Sequence, residues 1–168
     1  MARLVTTAGS ASANSYCSIS EAEDYFIDRL HKSDWSGASG SEKQAGLIWA
    51  TRLLDEICDW HGIKVTDAQA LRWPRNYVTD PDGYLLESDE IPVFLKRATA
   101  EFAMYLIAED RTLETNRGLM GFKSIKVDVI SLTIDKAKAK KLMPPSVWTM
   151  VRPYAAYKGT GQRTTVRV

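Results

Sequence analysis

The sequence predicts a mainly α-helical protein, a small helical bundle with a β-hairpin or short strands near the C-terminus and extended terminal arms. Three stretches, about 18–31, 39–60 and 91–110, repeat apolar residues at the three- and four-residue spacing of an amphipathic helix. From Phe122 onwards the pattern changes to the alternation that is typical of strands. With 168 residues, 45% of them hydrophobic and 26% charged, the chain has the size and composition of one globular domain.

These patterns divide the chain into four segments. Residues 1–17 are rich in Ala, Ser and Thr and are expected to form a loose N-terminal arm. Residues 18–121 form the predicted helical body. Residues 122–158 hold the predicted strands and a short last helix at about 146–157. Residues 159–168 are expected to be an extended C-terminal arm, because glycines precede a β-prone Thr-Thr-Val-Arg-Val sequence.

Capping patterns mark where the first two helices begin. Two overlapping patterns, Ser18 with Glu21 and Ser20 with Glu23, precede the first helix, and Ser39 with Glu42 precedes the second. All have the Ser-x-x-Glu spacing in which side chain and backbone cap each other. The segment between these helices is rich in turn-forming residues and is interpreted as a break. His61-Gly62 is expected to end the second helix, since glycine commonly follows a helix C-terminus.

An irregular connector separates the second helix from the third. Trp73 cannot continue a helix, because Pro74 lacks an N–H and pushes the preceding residue towards an extended conformation. Pro81-Asp82-Gly83 predicts a tight turn, and the third helix is expected to start at a capping acid with Pro92 in its first turn. Long ordered connectors are usually functional. The proposed structural anchor loop consists of Trp73, Pro74, Arg75, Asp82 and Gly83.

Charge is unevenly distributed along the chain. The first 135 residues carry 14 basic and 21 acidic side chains, whereas residues 136–168 carry eight basic side chains and no acidic one. A basic tail of this kind docks on an acidic surface, on a copy of its own body, or on nucleic acid, or is simply solvated. Because the arm is β-prone, it could also add a strand to the edge of the predicted strands 122–135. The candidate docking residues are Tyr157, Lys158, Arg163, Thr165, Val166, Arg167 and Val168.

No catalytic, metal-binding or cofactor-binding pattern is recognisable, so we expect no enzyme and no cofactor. The chain has only His31 and His61, which are interpreted as residues at helix C-termini. Asp55 and Asp59 share a predicted helix face and are interpreted as solvated. Phosphate loops, nucleophile elbows and metal-ligand spacings do not occur.

Membrane and secretory signals are also missing from the sequence. No apolar run approaches the roughly 20 residues that span a bilayer, and the N-terminus has no apolar core of a signal peptide. We therefore expect a cytoplasmic product with no membrane partner. Cys17 and Cys58 lack metal or disulfide spacing and are interpreted as reduced, partly buried thiols.

Five tryptophans are present. Core packing explains most of them, but Trp35 and Trp148 lie in segments flanked by turns. These two are the candidate interface aromatics, because aromatic side chains often anchor protein interfaces.

Several of these motifs together resemble a family of tailed-bacteriophage proteins. The family comprises small head–tail adaptors, also called head-completion or neck proteins, which are often labelled DnaT-like putative ssDNA-binding proteins. The resemblance covers roughly residues 13–108 and resumes more weakly in the strand region and the C-terminal arm. It rests on Ala13-Asn14-Ser15-Tyr16, Glu21-Ala22-Glu23-Asp24-Tyr25-Phe26, Ala50-Thr51-Arg52-Leu53-Leu54-Asp55, Leu71-Arg72-Trp73-Pro74-Arg75, Asp82-Gly83, Ile91-Pro92, Lys96-Arg97-Ala98 and Ala100-Glu101-Phe102-Ala103.

The resemblance implies a structural role in the virion neck. Copies of such proteins, assembled in the bacterial cytoplasm, form a ring beneath the portal, commonly a dodecamer. The ring extends the DNA channel for packaging and ejection and offers a platform to the next neck or tail-completion protein. Genomic double-stranded DNA passes through the lumen without sequence-specific binding. The Lys136–Lys141 segment has no counterpart in this resemblance.

Two other functions stay open. A single-stranded-DNA-binding protein acting in replication would need exposed aromatics beside a basic groove. Lys158, Arg163 and Arg167 near Trp148 and Tyr154 could supply one. The other possibility is an oligomeric scaffold unrelated to phage.

Overall fold

A computed structural model describes residues 3–112 and 142–158 of the chain. The predicted strands 122–135, the Lys136–Lys141 segment and the arm 159–168 lie outside these residues. In chain order the elements are α1 (Ile19–Ile27), α2 (Ser33–Gly37), α3 (Gly40–Ile57), β1 (Cys58–Trp60), β2 (Ile63–Lys64), β3 (Arg75–Asn76), α4 (Val93–Ala108), α5 (Pro145–Val151) and β4 (Ala155–Tyr157). The predicted mainly α-helical class is confirmed.

The core lies around α4. Helix α3 packs along it, α5 covers another side, and α1 and α2 also contact it. Leu47 and Leu54 of α3 and Leu95 and Phe102 of α4 are completely buried within one continuous apolar cluster. The stripes that predict these helices therefore face the core, as their spacing requires.

A capping box forms at the start of each of the two predicted helices, and at α1 it is Ser18/Glu21 rather than Ser20/Glu23. The Ser18 hydroxyl accepts a hydrogen bond from the Glu21 N–H, and the Glu21 carboxylate accepts one from the Ser18 N–H. Ser39 and Glu42 make the same reciprocal pair at the start of α3. These local signals locate both helix starts.

Helix ends differ from the predictions where distant residues intervene. Helix α3 stops at Ile57, because Cys58–Trp60 forms an antiparallel pair with Ala155–Tyr157. The same pairing shortens the predicted last helix to α5. Helix α1 ends at Ile27 rather than near His31. Pro92 itself is the N-cap of α4, with no side-chain cap, so the expected capping acid is wrong.

The expected break between α1 and α3 contains a short helix, α2. Its Trp35 is 2% exposed and packs on Phe26, with ring centroids 5.0 Å apart. The ammonium of Lys43 lies over the same ring at 5.3 Å. Trp35 is a core residue, so its expectation as an exposed interface aromatic is wrong.

The N-terminal segment is not loose over its described residues 3–17. Asn14 closes a loop, its side chain bonding both the Val5 N–H and the Arg3 carbonyl oxygen. Tyr16 is 1% exposed, and its N–H donates to the Thr51 hydroxyl on α3. Because Tyr16 is buried, this segment is held against the core, although its small polar residues predicted a loose arm.

Asp55 is not on a solvated face. Its carboxylate accepts hydrogen bonds from the Tyr16 hydroxyl at 2.6 Å, the Trp60 indole N–H at 3.1 Å and the Arg72 N–H at 3.1 Å. The Tyr16 oxygen in turn accepts from the N–H groups of Arg72 and Trp73. One carboxylate thus joins the N-terminal segment, α3, β1 and the connector. Asp59, by contrast, is exposed.

Asp55 is expected to make stability pH-dependent. Burial raises the pKa of Asp55 above its ordinary 3.8, outweighing the hydrogen bonds that lower it. Because the folded state then holds the proton more tightly than the unfolded state, this contribution to stability falls as pH rises from 3.8 through the raised pKa. The variant Asp55→Asn has no titrating group at this position. The free energy of unfolding of the wild type minus that of the variant should therefore decrease from about pH 4 to about pH 7. Urea denaturation at each pH measures this difference, and an increase would contradict it.

A partly buried ion pair joins Arg29, just after the end of α1, to Glu101 of α4. Glu101 is 2% exposed, and its two oxygens accept hydrogen bonds from Arg29 Nη2 at 2.7 Å and Nε at 3.3 Å. The Tyr25 hydroxyl donates to the same carboxylate at 3.2 Å. The side chain of Arg29 keeps 27% exposure, so solvent still reaches one end of the pair.

Arg29→Ala should destabilise the fold by about 3–5 kcal/mol, because it leaves the Glu101 carboxylate buried without its cation. Chemical denaturation measures this loss. The control is Arg29→Ala combined with Glu101→Gln, which removes the buried charge and should recover a large part of the stability. Equal losses in the single and double variants would show that only the Arg29 side-chain packing matters.

Candidate interaction surface

Trp73 anchors the connector in the core. It is 1% exposed and meets Trp60 and Phe94 edge-on, each with ring centroids 5.7 Å apart. Its peptide bond to Pro74 is cis. Among the described residues, its indole N–H has no hydrogen-bond acceptor, so packing rather than hydrogen bonding holds the ring.

Arg75 fastens the connector to the turn between β1 and β2. Its guanidinium donates to the carbonyl oxygens of Trp60, His61, Gly62 and Arg72 at 2.6–3.2 Å. The chain at Gly62 comes so close to β3 that a Cβ would lie 2.2 Å from the Asn76 carbonyl oxygen, and its φ is +70°. A glycine is therefore required at this turn.

A hairpin loop, residues 77–86, projects from this fixed base. The Leu86 N–H donates to the Val78 carbonyl oxygen at 2.9 Å, and Thr79 forms a bridge with Leu85. At the tip, the Asp80 carboxylate accepts from the N–H groups of Asp82 and Tyr84 at 3.0 and 2.8 Å. Gly83 supplies the positive φ of +91° that the turn needs. The predicted tight turn is confirmed.

The hairpin loop exposes large apolar side chains. Tyr77 is 77% exposed, Tyr84 73% and Leu85 69%, whereas Val78 on the first strand of the loop is buried. Val93, at the start of α4, is 56% exposed. Exposed apolar side chains that cluster on one feature of a surface are typical of interaction sites.

An acidic groove of about 360 Å³ runs between the hairpin loop and the start of α4. Its floor includes Phe94 and Tyr154, whose rings stack with centroids 3.7 Å apart. Burial first, and then the carboxylates of Asp80 and Asp82, raise the pKa of Tyr154. No lysine or arginine is among the described residues that line this groove, which are Asp80, Leu85, Leu86, Glu87, Glu90, Pro92, Val93, Phe94 and Tyr154.

A second groove lies on the other side of Val93. It carries acidic and basic side chains in equal number, because Glu21, Asp24 and Asp28 face Arg29, Lys96 and Arg97. Glu21 and Lys96 pair across it at 2.8 Å. Since its charges are largely matched within the chain, this groove is a weaker candidate than the acidic one.

The predicted docking residues are only partly described. Tyr157 ends β4, where Trp148 packs edge-on against it with ring centroids 5.5 Å apart. The Lys158 ammonium donates to the Asp55 carbonyl oxygen at 2.8 Å. Trp148 is half-buried. The remaining docking residues, Arg163, Thr165, Val166, Arg167 and Val168, lie outside the described residues.

Sequence reasoning did not single out Tyr77, Tyr84 and Leu85. One signal could have found them. A tight turn at 80–83 flanked by β-prone residues predicts a hairpin, and an isolated hairpin cannot bury both of its faces. Large apolar side chains on such a loop are therefore expected at the surface.

The described residues form neither a metal-ion cluster nor a membrane-spanning helix. Within 3–112 and 142–158, no group of three or more His, Cys, Asp or Glu side chains could hold a metal ion. No helix in these ranges combines the length and apolar character needed to cross a membrane. Cys17 and Cys58 are free and buried, and burial raises the pKa of each thiol to about 12.

A family model described as "Putative DnaT-like ssDNA binding protein" matches residues 1–168. The chain belongs to this DnaT-like family. The match extends over the connector, the hairpin loop and the basic segment 136–168 alike. No match to the chain was found among curated proteins or among solved structures.

Trp73→Ala should destabilise this DnaT-like protein by about 3–5 kcal/mol, the range for truncating a large buried aromatic. Trp49, which is 38% exposed on α3, offers the matched control. Trp49→Ala should cost less than about 1 kcal/mol, as surface substitutions usually do. Thermal or urea denaturation measures both, and similar losses in the two variants would contradict an anchoring role for Trp73.

Proposed function

We propose that this protein is a structural head-to-tail connector of a tailed phage. Its copies would form a ring beneath the portal that extends the DNA channel and provides a platform for the next neck or tail protein. The resemblance of the connector and helix motifs to phage adaptors supports this role. The work of such a protein is done by surfaces rather than by a reaction centre.

The observation that carries the proposal is the chemistry of the hairpin loop. Tyr77, Tyr84 and Leu85 are exposed on a backbone that the Asp80 carboxylate holds in a fixed turn. Aromatic residues are enriched at protein interfaces, and loss of their exposed apolar area on binding is favourable. The neighbouring Asp80 and Asp82 would repel phosphates. This combination suits a protein partner better than a nucleic acid.

A ring further requires two different surfaces on each copy that fit one another. Besides the hairpin loop, a second exposed apolar pair exists at the end of α1, where Ile27 is 69% and Leu30 76% exposed. Two unlike apolar surfaces on one chain are compatible with head-to-tail contacts that close into a ring.

The charge balance also fits a channel that lets DNA pass. The first 135 residues carry 14 basic and 21 acidic side chains. Each lysine or arginine fixed on a phosphate would hold the DNA in a salt-dependent way. A predominantly acidic body makes few such contacts.

Single-stranded-DNA binding is the second candidate, and the description of the DnaT-like family favours it directly. It would need bases to stack on exposed aromatics beside basic side chains. Tyr154 is stacked on Phe94, and the Lys158 ammonium already bonds a carbonyl oxygen. Binding of this kind would therefore depend on the basic residues of 136–141 and 159–168.

Two measurements on the full-length protein separate these functions. Negative-stain imaging, alone and with the phage portal, should show rings or density stacked coaxially on the portal. A gel shift with single-stranded DNA should show no complex at physiological salt. A salt-sensitive DNA complex formed by a monomer that never docks on a portal would overturn the connector role in favour of the second candidate.

Replacing the exposed apolar side chains of the hairpin loop should weaken assembly without unfolding the protein. The variant Tyr77→Ser, Tyr84→Ser, Leu85→Ser loses exposed apolar area, so its self-association should weaken at least tenfold, about 1.4 kcal/mol. Sedimentation velocity measures the association, and a melting curve checks the fold. Trp49→Ser, on the outer face of α3, is the control and should assemble normally. Full assembly of the triple variant would exclude the hairpin loop from the interface.

A further inference from the structure

The connector function proposed above gives the Lys136–Lys141 segment no role, although single-stranded-DNA binding would use its lysines. Its sequence, Lys-Ala-Lys-Ala-Lys-Lys, places four positive charges in six residues. In an extended conformation, successive side chains point to opposite sides. Lys136, Lys138 and Lys140 would then share one side, and Ala137 and Ala139 the other.

The acidic groove has the complementary pattern. Asp80, Glu87 and Glu90 contribute carboxylates, whereas Leu85, Val93 and the Phe94–Tyr154 ring stack contribute apolar surface. Glu87 and Glu90 are exposed, and neither carboxylate takes part in a hydrogen bond or ion pair with another described residue. An extended Lys/Ala segment could set its lysines on the carboxylates while the small alanines approach the apolar floor closely.

A copy cannot place this segment in its own groove. The segment ends next to Leu142, whose carbonyl oxygen accepts a hydrogen bond from Arg111 Nε at 3.3 Å, just beyond the C-terminal end of α4. The groove lies at the N-terminal end, by Val93. At 1.5 Å per residue, α4 separates these ends by about 22 Å. The backbone of Lys138, four residues from Leu142, reaches at most about 14 Å, and that of Lys136, six residues away, at most about 22 Å. The segment therefore cannot lie along its own groove, because Lys138, Lys140 and Lys141 fall short of it.

The contacts of α5 and of Tyr154 confirm that Leu142 lies near the C-terminal end of α4 and the groove near its N-terminal end. Its Ser146 hydroxyl lies 3.5 Å from the Tyr105 hydroxyl near the end of α4, whereas Tyr154 stacks on Phe94 near the start. The chain thus returns along α4 from Leu142 towards the groove. The attachment point of the basic segment and the groove lie at opposite ends of the same helix.

We infer that the acidic groove of one copy binds the Lys136–Lys141 segment of a second copy. This inference rests on the proposed assembly function and names the contact that joins neighbouring copies. The attachment point of the segment at Leu142 and the groove lie at opposite ends of α4, so the contact joins two different surfaces, as a head-to-tail contact requires. Such a contact repeats from copy to copy until a ring closes.

Residues 159–168 fit the groove less well. They carry two positive side chains, Arg163 and Arg167, over ten residues, and bulky threonines and valines lie between and beside them. The Lys136–Lys141 segment has twice as many charges in a shorter stretch and only alanines between its alternate lysines.

Complementary charge reversal tests the pairing in the full-length protein. The groove variant is Glu87→Lys with Glu90→Lys, chosen because Asp80 also stabilises the hairpin turn. The segment variant is Lys138→Glu with Lys140→Glu. Each alone should self-associate at least tenfold more weakly than the wild type in sedimentation velocity. An equimolar mixture should recover assembly. The substituted groove then meets the substituted segment, whose charges at 138 and 140 are opposite to those at 87 and 90, and the unchanged groove meets the unchanged segment.

Glu56→Lys with Asp67→Lys is the matched control, because both residues are exposed and lie away from the groove. It makes the same change in net charge as the groove variant and should assemble as the wild type does. Weakening of this control to the same extent would show a general charge effect and overturn the pairing.

The remaining outcomes separate the inference from the proposed function. A wild-type chain that stays monomeric overturns both. Wild-type oligomers that neither reversal weakens, or whose loss the mixture does not repair, overturn the pairing alone. If only Arg163→Glu with Arg167→Glu abolishes assembly, the C-terminal arm is the occupant and the inference is wrong. If the segment variant instead loses single-stranded-DNA binding and assembles normally, the segment serves nucleic acid and the inference is again wrong.

Discussion

The buried carboxylate of Asp55 is the constraint on which the rest of the architecture depends. It receives hydrogen bonds from Tyr16, Trp60 and Arg72, which come from the N-terminal segment, from β1 and from the connector. Burying a charge is unfavourable unless its hydrogen-bonding capacity is satisfied. The three donors meet that requirement together, so displacement of any one segment also exposes or unpairs the others.

The residues that follow Arg72 connect this hydrogen-bonded junction to the surface of the protein. Arg72 is followed by Trp73, which is clamped between aromatic rings, and Arg75, which binds four carbonyl oxygens. The hairpin loop starts two residues later. A loop attached this firmly presents its exposed side chains in one arrangement, which is what recognition of a partner surface needs.

Features that depend on neighbouring residues were predicted correctly from the sequence, whereas features that depend on distant residues were not. The capping boxes at Ser18 and Ser39 and the turn at Gly83 each depend on a few neighbouring residues. The end of α3 at Ile57 depends on a strand about a hundred residues away, and the environment of Asp55 depends on Tyr16 and Arg72. Helix periodicity alone predicts neither. Trp35 was misjudged because its five-residue helix is too short to show a period.

The internally bonded turn of the hairpin loop has a consequence for the strength of association. Ordering a flexible backbone costs about 1–2 kcal/mol per residue, which would consume most of the free energy that a small contact provides. Here the backbone is already ordered, so a partner needs to immobilise only the side chains of Tyr77, Tyr84 and Leu85, at about 0.5–1.5 kcal/mol each. A contact of modest area can therefore be both selective and reversible. In the proposed assembly this would allow wrongly joined copies to separate before the ring is complete.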